Sequence, residues 1–361
     1  MVKPFLRKIF AYLSFYAPKF FTLLEERIKF GVLRLNVKFN VVKESTNLDG
    51  NVCIFALYPS VDSINNVKHA IGVLIKNNYR VLVVLNRNKH SKLFEKELND
   101  VECSLLVREN IGRDFGAYKT GFTYLERHKF LNDISQLLFI NDSVIFPGNF
   151  NKLIKSTLDK DFDFGTAFLN YNYHLHAQSF FVWFSNQIIC SNFFSDFWRS
   201  YRPLSHRKYA IKNGEVKLTS TMITNGFTPK PLLNATTLNH ILKNRRFRKS
   251  WLQQAWGQYG IDFKQILVLK NEFHLLQFHR CLVETNPSHK LGLVATECLG
   301  FPLKKDLFKS GNATLGDITS CLARTGLDSK NLQCIELSLI PQGSNTTVTS
   351  LERIQRGYGL Y

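Results

Sequence analysis

The stretch "CSLLVRENIGRDFGAYKTGFTYL", residues 103–125, joins a short apolar run to a polar turn and then to a second, differently spaced apolar pattern. The run at 103–107 has the length and composition of a buried strand. After the turn, four apolar residues recur at spacings of three, four and three: Phe115, Tyr118, Phe122 and Leu125. That spacing predicts a helix over 114–128 with one face toward a core. The stretch therefore predicts a strand, a turn and a helix.

The same alternation runs through the neighbouring sequence. Further strands are predicted at 52–58, 80–85 and 136–140, and further helices at 64–77 and 91–98. Strands separated by helices imply βαβ units and hence a parallel sheet. We therefore predict an α/β fold, a Rossmann-type and mostly parallel sheet with helices on both faces.

Composition divides the chain into four segments: a basic amphipathic N-terminal segment (1–46), a ligand-binding core (47–230), a C-terminal part of the same domain (231–340) and a polar tail (341–361). The first segment has neither a long uncharged apolar run nor a small-residue cleavage site, so neither a transmembrane helix nor a signal peptide is predicted. Its aromatic and cationic residues on either side of Pro18 favour amphipathic helices that lie on a membrane. A helix packed on the protein's own core is the alternative.

The net charge of +19 is unevenly distributed. Residues 1–40 hold eight basic and two acidic residues, and residues 201–250 hold eleven and one. Such clusters attract polyanions, including nucleic acid, anionic lipid and phosphorylated ligands. The seven cysteines contain no C-x-x-C pair and no zinc-type spacing, which favours a reducing compartment.

The polar turn after the third strand does not match the standard phosphate-binding motifs. Tyr118 precedes Lys119 where a Walker loop needs glycine, and the glycine spacings of four and five do not fit a dinucleotide fingerprint. Several polar residues nevertheless gather where a strand ends and a helix begins, which is where open parallel sheets bind anions: Arg108, Asn110, Gly112, Arg113 and Asp114. The alternative is a helix cap at Asp114 and an ordinary turn at Gly112.

A second polar group follows the fourth predicted strand. Asn141, Asp142 and Ser143 end the run "QLLFI", and such oxygen-bearing side chains can hold a divalent cation beside a diphosphate. An ordinary turn with an Asx hydrogen bond is the alternative. Because the carboxyl ends of parallel strands share one edge, we expect the two groups to meet there.

With these motifs the chain resembles the rhamnan synthesis protein F family of bacterial glycosyltransferases. The segments that carry the resemblance are "RENIGRDFGAYKTG" (108–121), "FINDSV" (139–144), "HAQSFFVWF" (176–184) and "GEVKLTSTMITNGF" (214–227). "NPSH" (286–289) and "GFPLKKDLF" (300–308) resemble late motifs of related polysaccharide enzymes. Two departures are Ile145-Phe146 in place of Tyr-Gly, and an extra residue that leaves His174 and His176 as alternative matches to the family histidine.

The resemblance implies a GT-A-like enzyme whose nucleotide-sugar site includes the first motif with Lys119, and Asn141 and Ser143 of the second. Asp142 would contact the diphosphate or its cation, Mg²⁺ or Mn²⁺, and His289 is a further candidate metal ligand. Since the triplet holds a single carboxylate, a basic residue could neutralise the diphosphate instead.

Glu215 is the candidate catalytic base, because inverting transfer needs a carboxylate to take the acceptor proton. We expect it at the N-terminus of a short helix that ends at Gly226, where it would stay ionised. Asp161 and Asp163 are rival bases. His176, Gln178 and Ser179 are expected to contact acceptor or sugar hydroxyls.

We therefore expect a glycosyltransferase that moves a sugar, rhamnose or another deoxyhexose, from a nucleotide-diphosphate donor. The acceptor would be a lipid-linked or free polysaccharide, such as a lipopolysaccharide O-antigen. The protein would lie on the inner, anionic face of the bacterial cytoplasmic membrane. A basic nucleic-acid-binding protein and a non-catalytic membrane scaffold are the alternatives; no nucleic-acid-binding motif is present, so nucleic acid is not expected as a partner.

Overall fold

The computed structural model describes residues 21–32, 37–44, 48–158, 162–171, 174–244, 246–257 and 261–342. Its strands are β1 (Phe39–Lys43), β2 (Gly50–Leu57), β3 (Tyr79–Asn86), β4 (Ser104–Arg108), β5 (Ile134–Asn141), β6 (Val144–Ile145), β7 (Phe164–Thr166), β8 (Leu169–Asn170), β9 (His176–Ala177), β10 (Phe181–Ser185), β11 (Lys230–Pro231) and β12 (Leu303–Lys304).

The α-helices are Ile64–Lys76, Ser91–Glu97, Arg113–Arg127, Asn151–Thr157, Asn186–Ile189, Asn192–Ser200, Arg207–Tyr209, Lys217–Thr224, Ala235–Lys243, Lys249–Trp256, Phe263–Val268, Asn271–Val283, Pro287–Lys290, Gly292–Leu299, Asp306–Lys309, Leu315–Arg324 and Ser329–Leu339. Arg27–Val32 and Ala210–Val216 are π-helical, and Val61–Ser63, Phe130–Asp133 and Ile340–Gln342 are 3₁₀ turns. Every strand and helix predicted between residues 52 and 140 is present, with ends shifted by at most two residues.

The main sheet has eight strands in the order β1-β4-β3-β2-β5-β10-β7-β11. Its central strands β4, β3, β2 and β5 are mutually parallel. Two antiparallel strands flank them, β1 beside β4 and β10 beside β5. The structure therefore confirms the predicted α/β fold with its mostly parallel sheet.

Both faces of this sheet are covered. Along β2, Phe55 faces the helix Ile64–Lys76, whereas Ile54 faces the helix Arg113–Arg127. The residues of that second helix predicted to face the core are all buried: Phe115, Tyr118, Phe122 and Leu125. Since alternate residues of a strand point to opposite faces, a strand buried on both sides is an apolar run, as β2 is from Val52 to Leu57.

The strand order reverses beside β2. From β2 the chain adds β3 and β4 on one side and then returns to add β5 on the other. In open α/β sheets, ligands bind outside the carboxyl ends of the strands where the order reverses. Here that point lies between the ends of β2 and β5.

The C-terminal third packs into the same core as the sheet. Leu293 and Ile318 belong to the apolar cluster that contains Phe55 of β2. The antiparallel pair of β12 with β6 places Lys304 opposite Val144, next to the end of β5. The four-segment division remains a prediction, and Pro18 and the polar tail lie outside the described residues. No helix among the described residues is long and apolar enough to cross a membrane.

Candidate functional site

The three glycines of the first motif allow close packing. Gly112 has a φ of +77°, and a Cβ there would lie 2.5 Å from the Cβ of Pro203. A Cβ on Gly116 would lie 2.2 Å from the carbonyl oxygen of Ile111, and one on Gly121 would meet Ile54 of β2 at 2.7 Å. The glycines therefore let the turn and helix lie close to the sheet and to the loop that contains Pro203.

Arg108, the last residue of β4, stabilises this turn through hydrogen bonds. Its guanidinium is buried, and it donates to Asn86 Oδ1 at 2.9 Å and to the carbonyl oxygen of Ile111. Burial lowers the pKa of Arg108 to about 9. Asn110 and Arg113 are exposed above it, and Arg113 has a positive φ of 56°. Of these three predicted ligand contacts, Asn110 and Arg113 therefore face solvent, whereas Arg108 holds the turn.

The two motifs meet at the carboxyl edge of the sheet. Asn141 Nδ2 donates to Asp114 Oδ2 over 3.0 Å. The other amide atom, Asn141 Oδ1, accepts from the backbone N–H and hydroxyl of Ser143. Asp114 Oδ1 accepts from the N–H of Phe115, so Asp114 joins the helix N-terminus to the end of β5. The Asx hydrogen bond considered from the sequence is thus present within the juxtaposed motifs.

Asp142 lies where the strand order reverses. Its Oδ2 accepts a 2.9 Å hydrogen bond from the N–H of Tyr58, the first residue after β2, so it bridges the ends of β2 and β5. Burial raises the pKa of Asp142, and the nearby ammonium of Lys305 opposes that shift. Ser143 is exposed beside it.

Glu215 is joined to Ser179 by two hydrogen bonds. Its Oε1 accepts from the Ser179 N–H at 3.0 Å and from the Ser179 hydroxyl at 2.6 Å. Its Oε2 lies 3.6 Å from Nε2 of His176. The other ring nitrogen of His176 lies 2.7 Å from the carbonyl oxygen of His174, which favours the Nδ1–H form. Of the two histidines left open by the sequence, His176 is therefore the one that contacts Glu215.

The Glu215 and Asp114 carboxylates share Ser179, whose hydroxyl is also 3.4 Å from Asp114 Oδ2. Burial and, secondly, the charge of Glu215 raise the pKa of Asp114, while Arg113 opposes the shift. The charge of Glu215 therefore adds to the effect of burial on the proton affinity of Asp114, its neighbour at this edge of the sheet.

The predicted helix start at Glu215 is wrong. The π-helical segment Ala210–Val216 continues directly into the helix Lys217–Thr224, so Glu215 lies inside a continuous helix and gains nothing from an N-terminal dipole. The helix ends at Thr224, two residues before Gly226, which has a φ of +90°. A π-helical turn interrupts regular side-chain spacing and is frequent at functional sites.

The remaining predicted contacts have partners of their own. Gln178 donates to Oδ1 of Asn286 at 2.7 Å, and its own Oε1 is buried with no hydrogen-bond partner among the described residues. His289 pairs with Asp306 at 3.3 Å. Burial alone would raise the pKa of Asp306, but the hydrogen bond and charge of His289 lower it overall.

Lys119 and the rival base Asp163 lie away from the contacts around Glu215. The Lys119 ammonium donates to the carbonyl oxygens of Arg199 and Tyr201, at 3.1 and 2.7 Å. Asp163 is exposed just before β7, at the amino end of the neighbouring parallel strands, whereas Asp161 lies outside the described residues. Neither Lys119 nor Asp163 joins the contacts around Glu215.

The donor set offers little to a metal ion. Asn141 Oδ1 is occupied by Ser143, so Asp142 supplies the one free carboxylate of its triplet. Among the described residues, no group of three His, Cys, Asp or Glu side chains could hold a metal ion. The side chains that the structure describes therefore do not fit a fully protein-ligated metal centre.

Sequence reasoning assigned no role to Lys304, Lys305 or Asn286, although all three lie in segments that it quoted. Their closeness to Asp142 and Gln178 depends on the β6–β12 pair and on the helix Pro287–Lys290. Residues more than a hundred positions apart in sequence show no local sequence pattern that would predict such contacts.

Comparison with known proteins finds relatives that match part of the chain. Uncharacterized protein y4gN of Sinorhizobium fredii is 27% identical over 209 residues, 56% of this chain and 53% of that protein, so the chain matches about half of that relative. Virulence protein VirA of Vibrio anguillarum is 27% identical over 237 residues, 65% of this chain and 71% of that protein. The glycosyltransferase GlyE of Streptococcus pneumoniae is similar in structure with a TM-score of 0.37 and 12% identity, over 83% of this chain and 66% of that one. A similarity at that level assigns no substrate.

The family comparison covers the motifs directly. Residues 81–250 match the model of the family described as rhamnan synthesis protein F. This range contains the turn after β4, the end of β5, the contacts of Ser179 and Glu215 itself. The match agrees with the resemblance carried by the motifs: residues 81–250 of this chain are similar to the rhamnan synthesis protein F family.

Proposed function

We propose that this protein transfers a sugar, rhamnose or another deoxyhexose, from a nucleotide-diphosphate donor to a growing bacterial surface polysaccharide. The observation that carries the proposal is the set of contacts at the carboxyl edge of the sheet. Asp142 bridges the ends of β2 and β5, and Asn141 joins Asp114 to the same edge. Ligands of open α/β sheets bind there.

Glu215 has the geometry of a general base in this proposal. Ser179 occupies Oε1, so Oε2 remains to take the proton of an acceptor hydroxyl. The acceptor oxygen would then attack the anomeric carbon as the bond from that carbon to the diphosphate breaks. The diphosphate would leave with the electron pair, and the sugar would be transferred with inversion. His176, whose Nε2 is 3.6 Å from Oε2, would hold the carboxylate in place when both of its ring nitrogens are protonated.

The leaving diphosphate needs positive charge, and two sources are compatible with the site. Asp142 is the residue that would hold a divalent cation, Mg²⁺ or Mn²⁺, and the cation would supply that charge as a Lewis acid. Basic side chains at the same edge would supply it through charge-assisted hydrogen bonds.

A two-step assay tests the proposal. A panel of nucleotide-diphosphate sugars is first screened for thermal stabilisation, because a ligand that binds the native state raises its stability by mass action. The stabilising donor is then incubated with oligosaccharide acceptors, and NMR of the product reads the anomeric configuration. We expect one donor class to stabilise and an inverted linkage to form. No stabilisation by any donor, together with no transfer, would refute the proposal.

Attachment to an anionic membrane surface is part of the same proposal. In the helical segment 21–32, one face exposes four apolar side chains at spacings of three, four and four: Phe21, Leu24, Ile28 and Val32. An apolar stripe flanked by basic residues is typical of helices that lie in the membrane interface. A protein that extends a lipid-linked acceptor would gain from being held where that acceptor is.

Vesicle sedimentation tests this attachment. We expect the Leu24→Asp/Ile28→Asp double variant to lose binding to anionic vesicles while retaining its melting temperature, because both side chains are exposed. Substituting two exposed apolar residues of another helix, Phe273→Asp/Leu276→Asp, is the matched control. Undiminished vesicle binding by the first variant would contradict the proposal.

The nucleic-acid alternative gains no support from the basic stretch near residue 248. Arg248 pairs with the buried carboxylate of Glu297, which also pairs with Arg324 at 3.0 Å. Arg248 thus pairs with a buried carboxylate of the fold, and that carboxylate balances one of the two guanidinium charges beside it.

A further inference from the structure

Two adjacent lysines lie beside the end of β5. The antiparallel pair of β6 with β12 sets Lys304 opposite Val144, and the N–H of Lys305 donates to the carbonyl oxygen of Ser143 at 3.1 Å. Both lysines are therefore fixed by backbone hydrogen bonds to the segment that directly follows Asp142.

Their ammonium groups face the cluster already described. Lys304 Nζ lies 4.4 Å from the ring centre of Phe180, the residue after Ser179, and its charge lowers the proton affinity of Asp114. Lys305 interacts electrostatically with Asp142. One lysine thus faces the Ser179 side of the site, and the other faces the Asp142 side.

Neither lysine has a close acidic partner. Both side chains are half-buried, yet among the described residues no carboxylate oxygen lies within 4.0 Å of either ammonium. Burial lowers the pKa of Lys305, because removing the charged ammonium group from water costs free energy. An anion bound between the two ammonium groups would offset that cost.

We propose that Lys304 and Lys305 form the diphosphate-binding site of this protein and neutralise the diphosphate without a metal ion. The inference rests on the proposed transferase function and names the residues of its donor site. Two fixed cations at the point where the strand order reverses match the two charged phosphates of a diphosphate better than a single phosphate. Ammonium groups also stabilise the negative charge that develops on the leaving group as the sugar bond breaks.

Isothermal titration of inorganic pyrophosphate, in EDTA and separately with Mn²⁺, tests the proposal. Lys304→Met and Lys305→Met remove the charge but keep a long side chain, so the packing on Phe180 is retained. Each should weaken pyrophosphate binding in EDTA by roughly ten- to a hundredfold, the usual worth of a hydrogen bond to a charged group. Lys→Arg at each position should restore most of it. Lys330→Met, at an exposed lysine of the helix Ser329–Leu339, is the control and should bind as the wild type does.

Two further ligands distinguish the source of the diphosphate. UDP, GDP and dTDP represent the donor, and farnesyl diphosphate represents a lipid-linked acceptor. We expect one nucleoside diphosphate to bind more tightly than pyrophosphate and to lose affinity in the same lysine variants. Preferential binding of farnesyl diphosphate would overturn the assignment to the donor.

The outcomes separate this inference from the proposed function. Pyrophosphate binding that requires Mn²⁺, or that is unchanged in both methionine variants, would overturn the lysine site even if sugar transfer is observed. Lysine-dependent pyrophosphate binding in EDTA, with neither stabilisation by nor transfer from any nucleotide-sugar donor, would support the lysine site and refute the transferase function. A methionine variant that fails to fold is replaced by its glutamine counterpart, judged by the same titration.

Discussion

Replacing Glu215 by glutamine separates the chemistry of the site from its architecture. A glutamine Oε1 can still accept from the N–H and hydroxyl of Ser179, which lie 3.0 and 2.6 Å from Glu215 Oε1. The substitution removes the charge and replaces Oε2, which faces His176 at 3.6 Å, by an NH₂ group. The change is therefore confined to the oxygen that we assign to proton transfer.

The expected effect on stability is small because opposing contributions nearly cancel. A hydrogen bond to a charged acceptor contributes about 1.5–3 kcal/mol and a neutral one about 1 kcal/mol, so weakening the Ser179 contacts costs about 1–2 kcal/mol. Removing the Glu215 charge relieves its repulsion with Asp114, whose pKa that charge raises. We therefore expect a net loss of at most about 1 kcal/mol in the free energy of unfolding.

The expected effect on catalysis is large. General-base catalysis contributes roughly 10²–10⁴-fold to a rate, so kcat should fall by about that factor. The affinity for the donor should stay within a fewfold of the wild type, because a base acts in the transition state.

The assay measures kcat, KM and donor affinity of Glu215→Gln, together with its urea unfolding curve. Glu44→Gln is a matched control: Glu44 accepts from the hydroxyl of Tyr124, ten residues or about 15 Å along the helix from Asp114. The control should keep full turnover. A Glu215→Gln variant with turnover within fivefold of the wild type, or with donor affinity lost in step with kcat, would refute the assignment of a base.

Three further predictions concern neighbouring residues. Gly112→Ala should lower the free energy of unfolding by about 2–4 kcal/mol in urea titrations, because alanine is strained at a φ of +77° and its Cβ would overlap Pro203; a loss under 0.5 kcal/mol would contradict this. Asp142→Asn should reduce turnover at least about a hundredfold with little change in melting temperature, since an amide oxygen can still accept from Tyr58; near-normal turnover would argue against a role at the diphosphate. Burial and the charge of Arg202 lower the pKa of Lys119 to about 8. Between pH 8 and 10.5 the unfolded chain therefore binds more protons at Lys119 than the folded protein does. The contribution of Lys119 to the free energy of unfolding should then rise with pH. Unfolding curves at pH 7.5 and 9.5 should show a larger gain for the wild type than for Lys119→Met, and equal gains would contradict the shift.

The fold could be predicted from sequence because its parallel strands are buried on both faces. β2, β3 and β5 are each nearly continuous apolar runs, and the spacing of Phe115, Tyr118 and Phe122 defines the helix between β4 and β5. The two-residue strands β6 and β12 are too short for any periodicity, so the position of Lys304 and Lys305 could not be predicted.

The meeting of the two motifs was predictable from the sequence, and the local structure around them was less so. The meeting of Asp114 with Asn141 follows from parallel strands sharing an edge. The start of the helix that carries Glu215 could not be predicted, because Asn213 and Gly214 are poor helix formers, yet the π-helical turn continues through them and Gly214 lets Phe115 pack closely. Burial of Arg108 was not predictable, because arginine is expected at the surface. Its two acceptors, a backbone carbonyl and a side-chain amide, are also far from each other in sequence.

The N-terminal helical segment has a second face that bears on how its function is tested. Glu26 is buried, and its two carboxylate oxygens accept from the N–H and hydroxyl of Ser205, both at 2.7 Å. The hydroxyl of Ser205 in turn accepts from the N–H of Gly112 at 3.0 Å. One face of the segment is therefore connected through two hydrogen bonds to the glycine turn of the first motif.

This connection changes the meaning of a truncation. Deleting residues 1–40 would remove the apolar stripe proposed to bind lipid, but it would also leave Ser205 without its acceptor and loosen the turn at Gly112. Loss of donor binding in such a truncation would thus be expected even if the stripe alone binds lipid. Leu24→Asp/Ile28→Asp changes the exposed face and leaves Glu26 in place, whereas Glu26→Gln weakens the contact with Ser205 and leaves the stripe intact. Vesicle binding should respond to the first substitution and donor affinity to the second; a loss of both properties in either variant would mean that the two faces act as one unit.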